Sequence, residues 1–439
     1  MTYLRDEEDR EIRDEEKNSG VRPQVLCRTL CSTNNVFYRD KREQEDTFTL
    51  TDQLVSEEEN IRLLEVPGAM ELNDKVKSLP LDKSPMEDGL PAEVLQELWD
   101  DLSPCCLEFI QEVWHNKQIG KFNAGAIIKL IPKNEKKEAL RNWRPISLLN
   151  LAYKLVGHIL AKRMKDIIPK LVDEEQTGFI HGRSITDNII SLSLCQELAL
   201  AQREPVIFCK LDFVKAFDRV QHSFLWATMW RMGFSPTIIE LTQALVSEGH
   251  AKVHLNGRYT KTFKLERGVE QGCPISPLLL AINTQPLMRL LTEGERKGEL
   301  VGISILRGRT LLHILFADDS GVAIKADEGN FKSLYMVVES FERISGAQLN
   351  PAKSVIIPFA LEWLLMWLQE TRCQILNLGH FITYLGCQFG MEKAEEERTK
   401  DLKNKLQRRL GKWTTNFLSG CREFSCFNMC YERYLCTNF

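Results

Sequence analysis

The sequence has no long apolar run. Nothing in its 439 residues approaches the roughly 18 consecutive apolar positions of a membrane-spanning helix, so no membrane helix is expected. Met1 to Asn18 are charged throughout and do not read as a secretory leader. There is no internal repeat, and no low-complexity segment beyond an acidic start. The 13 cysteines are irregularly spaced and form no secreted disulfide framework. Reduced, buried thiols in an intracellular protein are the expectation, with nucleus and cytoplasm left open. An excess of positive charge is also missing, since 57 Lys and Arg stand against 61 Asp and Glu, net −4. That total hides an asymmetry. Residues 1–59 hold 16 acidic and 9 basic side chains, which leaves the remainder of the chain at +3. Basic residues gather in Lys129 to Arg144, Lys162 to Lys170 and Lys400 to Lys412. They read either as a groove for a polyanion or as ordinary solvated helix faces.

Two acidic clusters flank a Gln-Gly-Cys-Pro turn. Asp212-Phe213-Val214-Lys215-Ala216-Phe217-Asp218 precedes Gln271-Gly272-Cys273-Pro274, and Phe316-Ala317-Asp318-Asp319-Ser320 follows it. Val206 to Phe213 is β-rich and carries Asp212 to a strand's end. Leu311 to Ala317 and Gly321 to Lys325 read as strands joined through Asp318-Asp319. A strand end and a tight turn both set side chains at the rim of a sheet, where carboxylates from distant segments converge. Phosphoryl transfer asks little covalent chemistry of a protein; it needs hard cations beside the reacting phosphate, and carboxylates to hold them. Asp212 and Asp318 are the expected metal ligands, with Asp319 a third and Asp218 assigned to scaffolding or capping. A merely hydrophilic hairpin tip would not be led into by the apolar Ile314-Leu315-Phe316.

Periodicity places the other elements. Apolar positions from Leu90 to Trp114 predict two helices interrupted at Ser103-Pro104. Ala126 to Ile131 reads as a strand, and Leu151 to Ile168 as a helix stopped by Pro169. Helices are also expected over Phe224–Met232, Thr237–Val246, Pro277–Leu291, Phe331–Ser345 and Arg398–Phe417. His250 to Phe263 alternates about Asn256-Gly257, the mark of a hairpin.

Further segments extend the pattern. They are Lys83-Ser84-Pro85-Met86-Glu87-Asp88-Gly89, Ile127 to Lys133, Trp143-Arg144-Pro145-Ile146-Ser147, Gln176-Thr177-Gly178-Phe179, Ser345 to Ser354, and Tyr384-Leu385-Gly386. In this order, from about Leu79 to Leu418, they resemble the reverse transcriptases of non-LTR retrotransposons (long interspersed elements). The resemblance implies an α+β right-hand polymerase: fingers, a palm with an antiparallel sheet, and an incomplete helical thumb. It implies an RNA-directed DNA polymerase that moves a nucleotide from a dNTP to a primer 3′-hydroxyl on an RNA template. It also implies two Mg2+ ions roughly 3.5–4 Å apart, with Mn2+ as a substitute. The division expected is an acidic, flexible or marginally helical segment at 1–59, a helical extension at 60–113 and the polymerase domain at 114–390. A partial thumb helix at 391–418 and a Cys-rich tail at 419–439 complete it.

Residue roles follow. The resemblance implies that the backbone carbonyl of Phe213 joins the metal ligands, and that Phe217 packs under the incoming sugar and excludes a ribose 2′-hydroxyl; a plain core Phe is the alternative. It suggests that Gln271 touches nucleotide or template, while Gly272 permits close backbone approach. Lys133 and Arg144 suit triphosphate contacts from the fingers, or else are solvated cations. Lys353 corresponds to a lysine near the departing pyrophosphate, where it protonates or screens it.

Some positions depart from the family pattern. Met86 stands where glycine is usual, costly if that turn needs a positive φ. Glu270 replaces a usual base, where a carboxylate would repel template phosphate or draw a cation; Gln285 replaces a usual acid. Cys421, Cys426, Cys430 and Cys436 crowd the end without the tight pair or histidine of a zinc site. Residues 1–78 do not read as an endonuclease, so a polymerase fragment is expected. The alternative is a catalytically inactive remnant that at most binds nucleic acid. An RNA-dependent RNA polymerase shares the carboxylates, but Phe217 speaks against it.

Overall fold

The computed structural model describes residues 54–86, 88–133, 142–304, 310–359, 371, 373–376 and 381–390. It also describes Thr47, Leu50 and the paired strands Tyr3–Arg5 and Glu11–Arg13. The expected helix at Arg398–Phe417, the partial thumb and the Cys-rich tail lie outside the described residues.

Four helices open the body: α1 (Glu57–Leu64), α2 (Ala69–Lys77), α3 (Ala92–Glu97) and α4 (Trp99–Asn116). Helix α1 begins at a capping box, Ser56 with Glu59, which satisfies amides the first turn leaves unpaired. The helix break expected at Ser103-Pro104 falls instead at Leu98, and Pro104 sits inside α4. The missing proline donor costs the carbonyl of Asp100 its intrahelical partner, and Asp100 is an exposed residue of the first turn. Met86 does not occupy a left-handed turn. The positive φ belongs to Gly89, at 65°, and Met86 is buried, so its cost does not arise.

Helix α5 (Leu151–Lys165) ends before the expected Ile168, and Pro169 sits at the start of a separate turn, Ile168–Leu171. Proline is accepted there because early helical amides have no intrahelical partner. The basic stretch from Lys162 to Lys170 is partly absorbed by the N-terminal helices. Arg163 pairs with Glu71 at 2.6 Å and donates to the Leu63 carbonyl at 3.1 Å, and Lys170 pairs with Glu59. Leu63, Leu72, Val113 and Trp114 share one core with Leu155, Ile159 and Met164.

Two five-stranded sheets carry the site. In the first, β1 (Gly125–Pro132) lies between β2 (Trp143–Leu149), antiparallel, and β4 (His250–Leu255), parallel. The short β5 (Arg258–Tyr259) and β6 (Phe263–Lys264) both pair with β4. The β4–β5 hairpin turns on Asn256 at φ 49° and Gly257 at φ 80°, the two positive angles its Asn-Gly pair anticipates. This sheet forms the fingers.

The second sheet is the palm. Its order is β7 (His313–Phe316), β8 (Asp319–Lys325), β3 (Val206–Asp212), β9 (Val355–Phe359), β10 (Gln374–Ile375). Every pairing is antiparallel except β9 with β10. Central strand β3 is apolar on both faces, as a covered sheet requires. Ile207, Cys209 and Leu211 pack under α7 (Ser276–Arg296) and α8 (Glu328–Ser345), against Leu287, Leu291, Val338 and Phe341. Val206 and Phe208 face α6 (Ile185–Gln202) and the hairpin at Phe381–Gly390. Gly321 on β8 is needed here, since a Cβ would stand 2.3 Å from the Phe208 ring. This architecture is the expected right-hand α+β polymerase fold, seen here in its fingers and palm. No helix among the described residues is long and apolar enough to cross a membrane.

Candidate active site

The palm sheet brings the two acidic clusters to one rim. Asp212 ends β3 directly opposite Asp319, which starts β8. The turn differs by one residue from the expectation. Ala317 and Asp318 form it, and Asp319 already pairs with Phe316 across the hairpin. Ala317 takes the left-handed conformation, φ 59°, which closes the hairpin one residue early and leaves Asp318 exposed at its tip. Asp212 is held through its backbone: its amide donates to Ser354 Oγ at 3.1 Å and its carbonyl accepts from Asn350 at 2.7 Å. The neighbouring bridge between Phe213 and Leu349 uses groups of Asp212 and Val214 and does not take the Phe213 carbonyl.

A cavity of about 620 Å³ opens between fingers and palm. Asp212, Phe213 and Asp318 line its palm side, with Lys353 beside them. Lys133 and Arg144 line the fingers side, at the end of the β1–β2 pair. Phe217, Gln271 and Gly272 also face it. Asp319 does not; it is half-buried behind the rim. Burial pushes its carboxyl pKa up, Lys210 opposes this, and the charges of Asp318 and Asp212 add to the rise. That mutual repulsion is what a bound cation would relieve. Among the described residues, no three His, Cys, Asp or Glu side chains converge tightly enough to hold an ion by themselves.

Four cations gather against the carboxylates. Partial desolvation, then Lys353, Arg144 and Lys215, hold the Lys133 ammonium below its ordinary value, while Asp218 pulls the other way. Like charges collected on a cavity wall are poised for a polyanion. Lys215 was missed by the sequence reading. Its signal is its place inside the first acidic cluster, where a left-handed residue (φ 46°) starts the Ala216–Arg219 turn. That turn presents Phe217, whose ring meets Phe179 edge-on at 6.4 Å, and Asp218. Burial pushes the Asp218 carboxyl up to about 6 despite Lys215, Lys133 and Arg267, and its Oδ2 is shut off from solvent without a hydrogen-bond partner.

Gln271 and Gly272 stitch palm to fingers. The Ser147 amide on β2 donates to the Gln271 carbonyl at 2.9 Å. Gly272 has φ 131°, and a Cβ there would stand 2.5 Å from the Ser147 carbonyl oxygen, so only glycine fits. Glu270 overturns its expectation. The residue lines the cavity, but its carboxyl is buried beneath the turn, with both oxygens shut off from solvent and lacking a hydrogen-bond partner. The nearby Tyr153 hydroxyl donates instead to the Leu245 carbonyl at 2.6 Å. Burial pushes the Glu270 carboxyl up to about 8, which favours its protonated form near neutral pH. Gln285 accepts from the Asp173 amide at 3.1 Å, a structural role.

The model of the reverse transcriptase (RNA-dependent DNA polymerase) family matches residues 131–391. A 149 kDa protein of transposon TX1 from Xenopus laevis is 28% identical over 91% of the chain and 32% of its own length. A Pol polyprotein of the type-1 retrotransposable element R2 from Popillia japonica is 28% identical over 53% of the chain and 32% of its own length. Among solved structures, an apo telomerase from Candida tropicalis aligns at TM-score 0.42 and 16% identity, covering 68% of this chain and 59% of that one. The chain spans about a third of the length of these two curated relatives. By the extent of that family match, the chain belongs to the reverse transcriptase family, and its relatives are proteins of non-LTR retrotransposons.

Proposed function

We propose that this domain performs RNA-directed DNA synthesis by two-ion nucleotidyl transfer, taking a nucleotide from a dNTP to the 3′-hydroxyl of a DNA primer paired to RNA. The observation that carries this reading is the opposition, across one cavity, of Asp212 and Asp318, with Lys353 beside them, to Lys133 and Arg144. The donor set fits Mg2+ or Mn2+: carboxylates and a backbone carbonyl supply only oxygen, and an ion with few protein ligands draws the rest from substrate phosphates and water. Asp212, Asp318 and the Phe213 carbonyl would hold the ions, with Asp319 supporting them from behind. When bound, such ions supply charge neutralisation at the reacting phosphate and a more acidic primer hydroxyl.

The chain's own residues do the remainder. Arg144 grips triphosphate oxygens in two-pronged fashion and Lys133 adds a point charge. Lys353 stands where it hands a proton to, or screens, the departing pyrophosphate. The Phe217 ring lies under the sugar and leaves no room for a 2′-hydroxyl. Gln271 offers donor and acceptor to the nucleotide or template, and Gly272 lets backbone come close. The rival reading, an inactive remnant, rests on the lack of an endonuclease, on Met86, on Glu270 and on the Cys-rich end; Met86 and Glu270 are buried within the fold, and the Cys-rich end lies outside the described residues. Primer extension on poly(rA) with oligo(dT) and labelled dTTP tests the proposal. Incorporation that chelator abolishes and Mg2+ restores is expected; no incorporation by a folded, duplex-binding protein would favour the remnant.

A further inference from the structure

The segment Gln176-Thr177-Gly178-Phe179 takes no part in the chemistry above, yet it is built against the Asp318 turn. The Leu315 amide donates to the Glu175 carbonyl at 3.0 Å and the Thr177 amide donates to the Leu315 carbonyl at 2.9 Å, a one-residue parallel bridge on the edge of β7. Asn188 Nδ2 donates to the same Leu315 carbonyl at 2.7 Å. Arg183 anchors the strap from behind, donating to the carbonyls of Gln176 at 2.8 Å and Pro169 at 2.6 Å.

At the centre is the Gln176 side chain, with no exposed surface. Its Oε1 accepts from the Ala317 amide at 3.0 Å and from the Gly178 amide at 3.0 Å, and its Nε2 reaches toward the Ala317 carbonyl at 3.4 Å. Ala317 is the residue whose left-handed φ of 59° closes the hairpin, and it is buried. A non-glycine residue in that conformation persists only when its surroundings over-determine it, and a buried amide must be paired. Gly178 completes the fit, since a Cβ there would stand 2.1 Å from the Ala317 nitrogen.

We propose that Gln176 is a positioning residue for the reaction: its carboxamide clamps both ends of Ala317, and so fixes where Asp318 projects into the cavity. The inference rests on Asp318 being a metal ligand, and the test separates the two. Gln176→Met keeps length and removes the acceptor. Gln176→Glu restores acceptor oxygens. Gly178→Ala presses the turn sterically without touching Gln176.

In the full chain without metal, Gln176→Met should speed amide exchange in the segment spanning His313 to Asp319 by about tenfold or more, with the β1–β2 segment unchanged. Mn2+ affinity read by electron paramagnetic resonance should weaken about tenfold, and kcat for dTTP should fall about 10- to 100-fold with KM little moved. Gln176→Glu should recover most of the exchange protection. A folded Gln176→Met with wild-type exchange and Mn2+ affinity overturns the inference. If that variant does not fold, Gly178→Ala is read by the same criteria, and unchanged exchange there overturns it. Should Gln176→Met loosen the turn while Asp318→Asn leaves Mn2+ affinity intact, the clamp stands and the metal assignment falls.

Discussion

The carboxylate rim of the palm and the cationic wall of the fingers collect like charges in opposite ways. At the rim, repulsion is resisted by backbone. Asp212 and Asp319 sit face to face because β3 and β8 are locked in register between two apolar layers, and Ser354 and Asn350 hold Asp212 at both ends of its peptide. At the wall, Lys133 and Arg144 stand exposed at the open end of one strand pair. Partial desolvation first, then the neighbouring Lys353, Arg144 and Lys215, hold the Lys133 ammonium below its ordinary value, with Asp218 as the opposing charge. On the proposed function, the difference means that the palm is organised before substrate arrives and that an anion completes the wall. Substitutions at the rim should therefore act on turnover, and those at the wall on nucleotide affinity.

The strongest way to break this contrast is at the rim. Asp318→Asn should lower kcat for dTTP incorporation on the order of a thousandfold, while affinity for an RNA–DNA duplex in a gel shift stays near wild type. Equal loss of both would mean that the rim is a folding element and the contrast is false. At the wall, Arg144→Ala should raise the KM for dTTP about tenfold, as loss of a charge-assisted contact does, and leave kcat nearly unchanged. A fall confined to kcat would erase the distinction. Between the two lies Phe217. Phe217→Val should raise UTP use relative to dTTP about tenfold, because the penalty against the ribonucleotide is steric. An unchanged ratio would make the ring a packing residue only.

The smallest effect concerns Glu270, beneath the turn that joins rim to wall. Its folded pKa, about 8, lies above its unfolded value of 4.5. The folded state therefore holds its proton more tightly than the unfolded one, so its contribution is full below pH 4.5 and is lost as pH rises toward 8. Glu270→Gln should melt several degrees above wild type at pH 8.5 and close to it at pH 5, in thermal scans at both values. Parallel curves at the two pH values would mean that Glu270 is not buried as an acid.

Much of this was legible in the chain. An apolar run leading into an Asp pair, a β-rich run ending in Asp212, and an Asn-Gly between alternating residues are local patterns, and local physics decides them. One cavity is lined by Asp212, Phe213, Asp318, Phe217, Gln271, Gly272, Lys133, Arg144 and Lys353, whereas Asp319 does not line it. What escaped depends on distant partners. Ala317 is left-handed because Gln176, 141 residues away, takes its amide, and that shifts the turn by one residue. Burial raises the Glu270 carboxyl because the chain folds it beneath the turn, close to Gly249, which a scan of neighbours along the chain does not reveal. Pro104 sits inside α4 where the residue whose carbonyl it orphans, Asp100, is exposed, a matter of exposure and not of propensity.

The most direct test of the central claim is the position of Mn2+ in a crystal of the chain with an RNA–DNA primer–template and a non-hydrolysable dTTP analogue. Anomalous peaks should fall between the Asp212 and Asp318 carboxylates, with the triphosphate running from them to Lys133 and Arg144. Peaks elsewhere, or a triphosphate that avoids the fingers wall, would contradict the account.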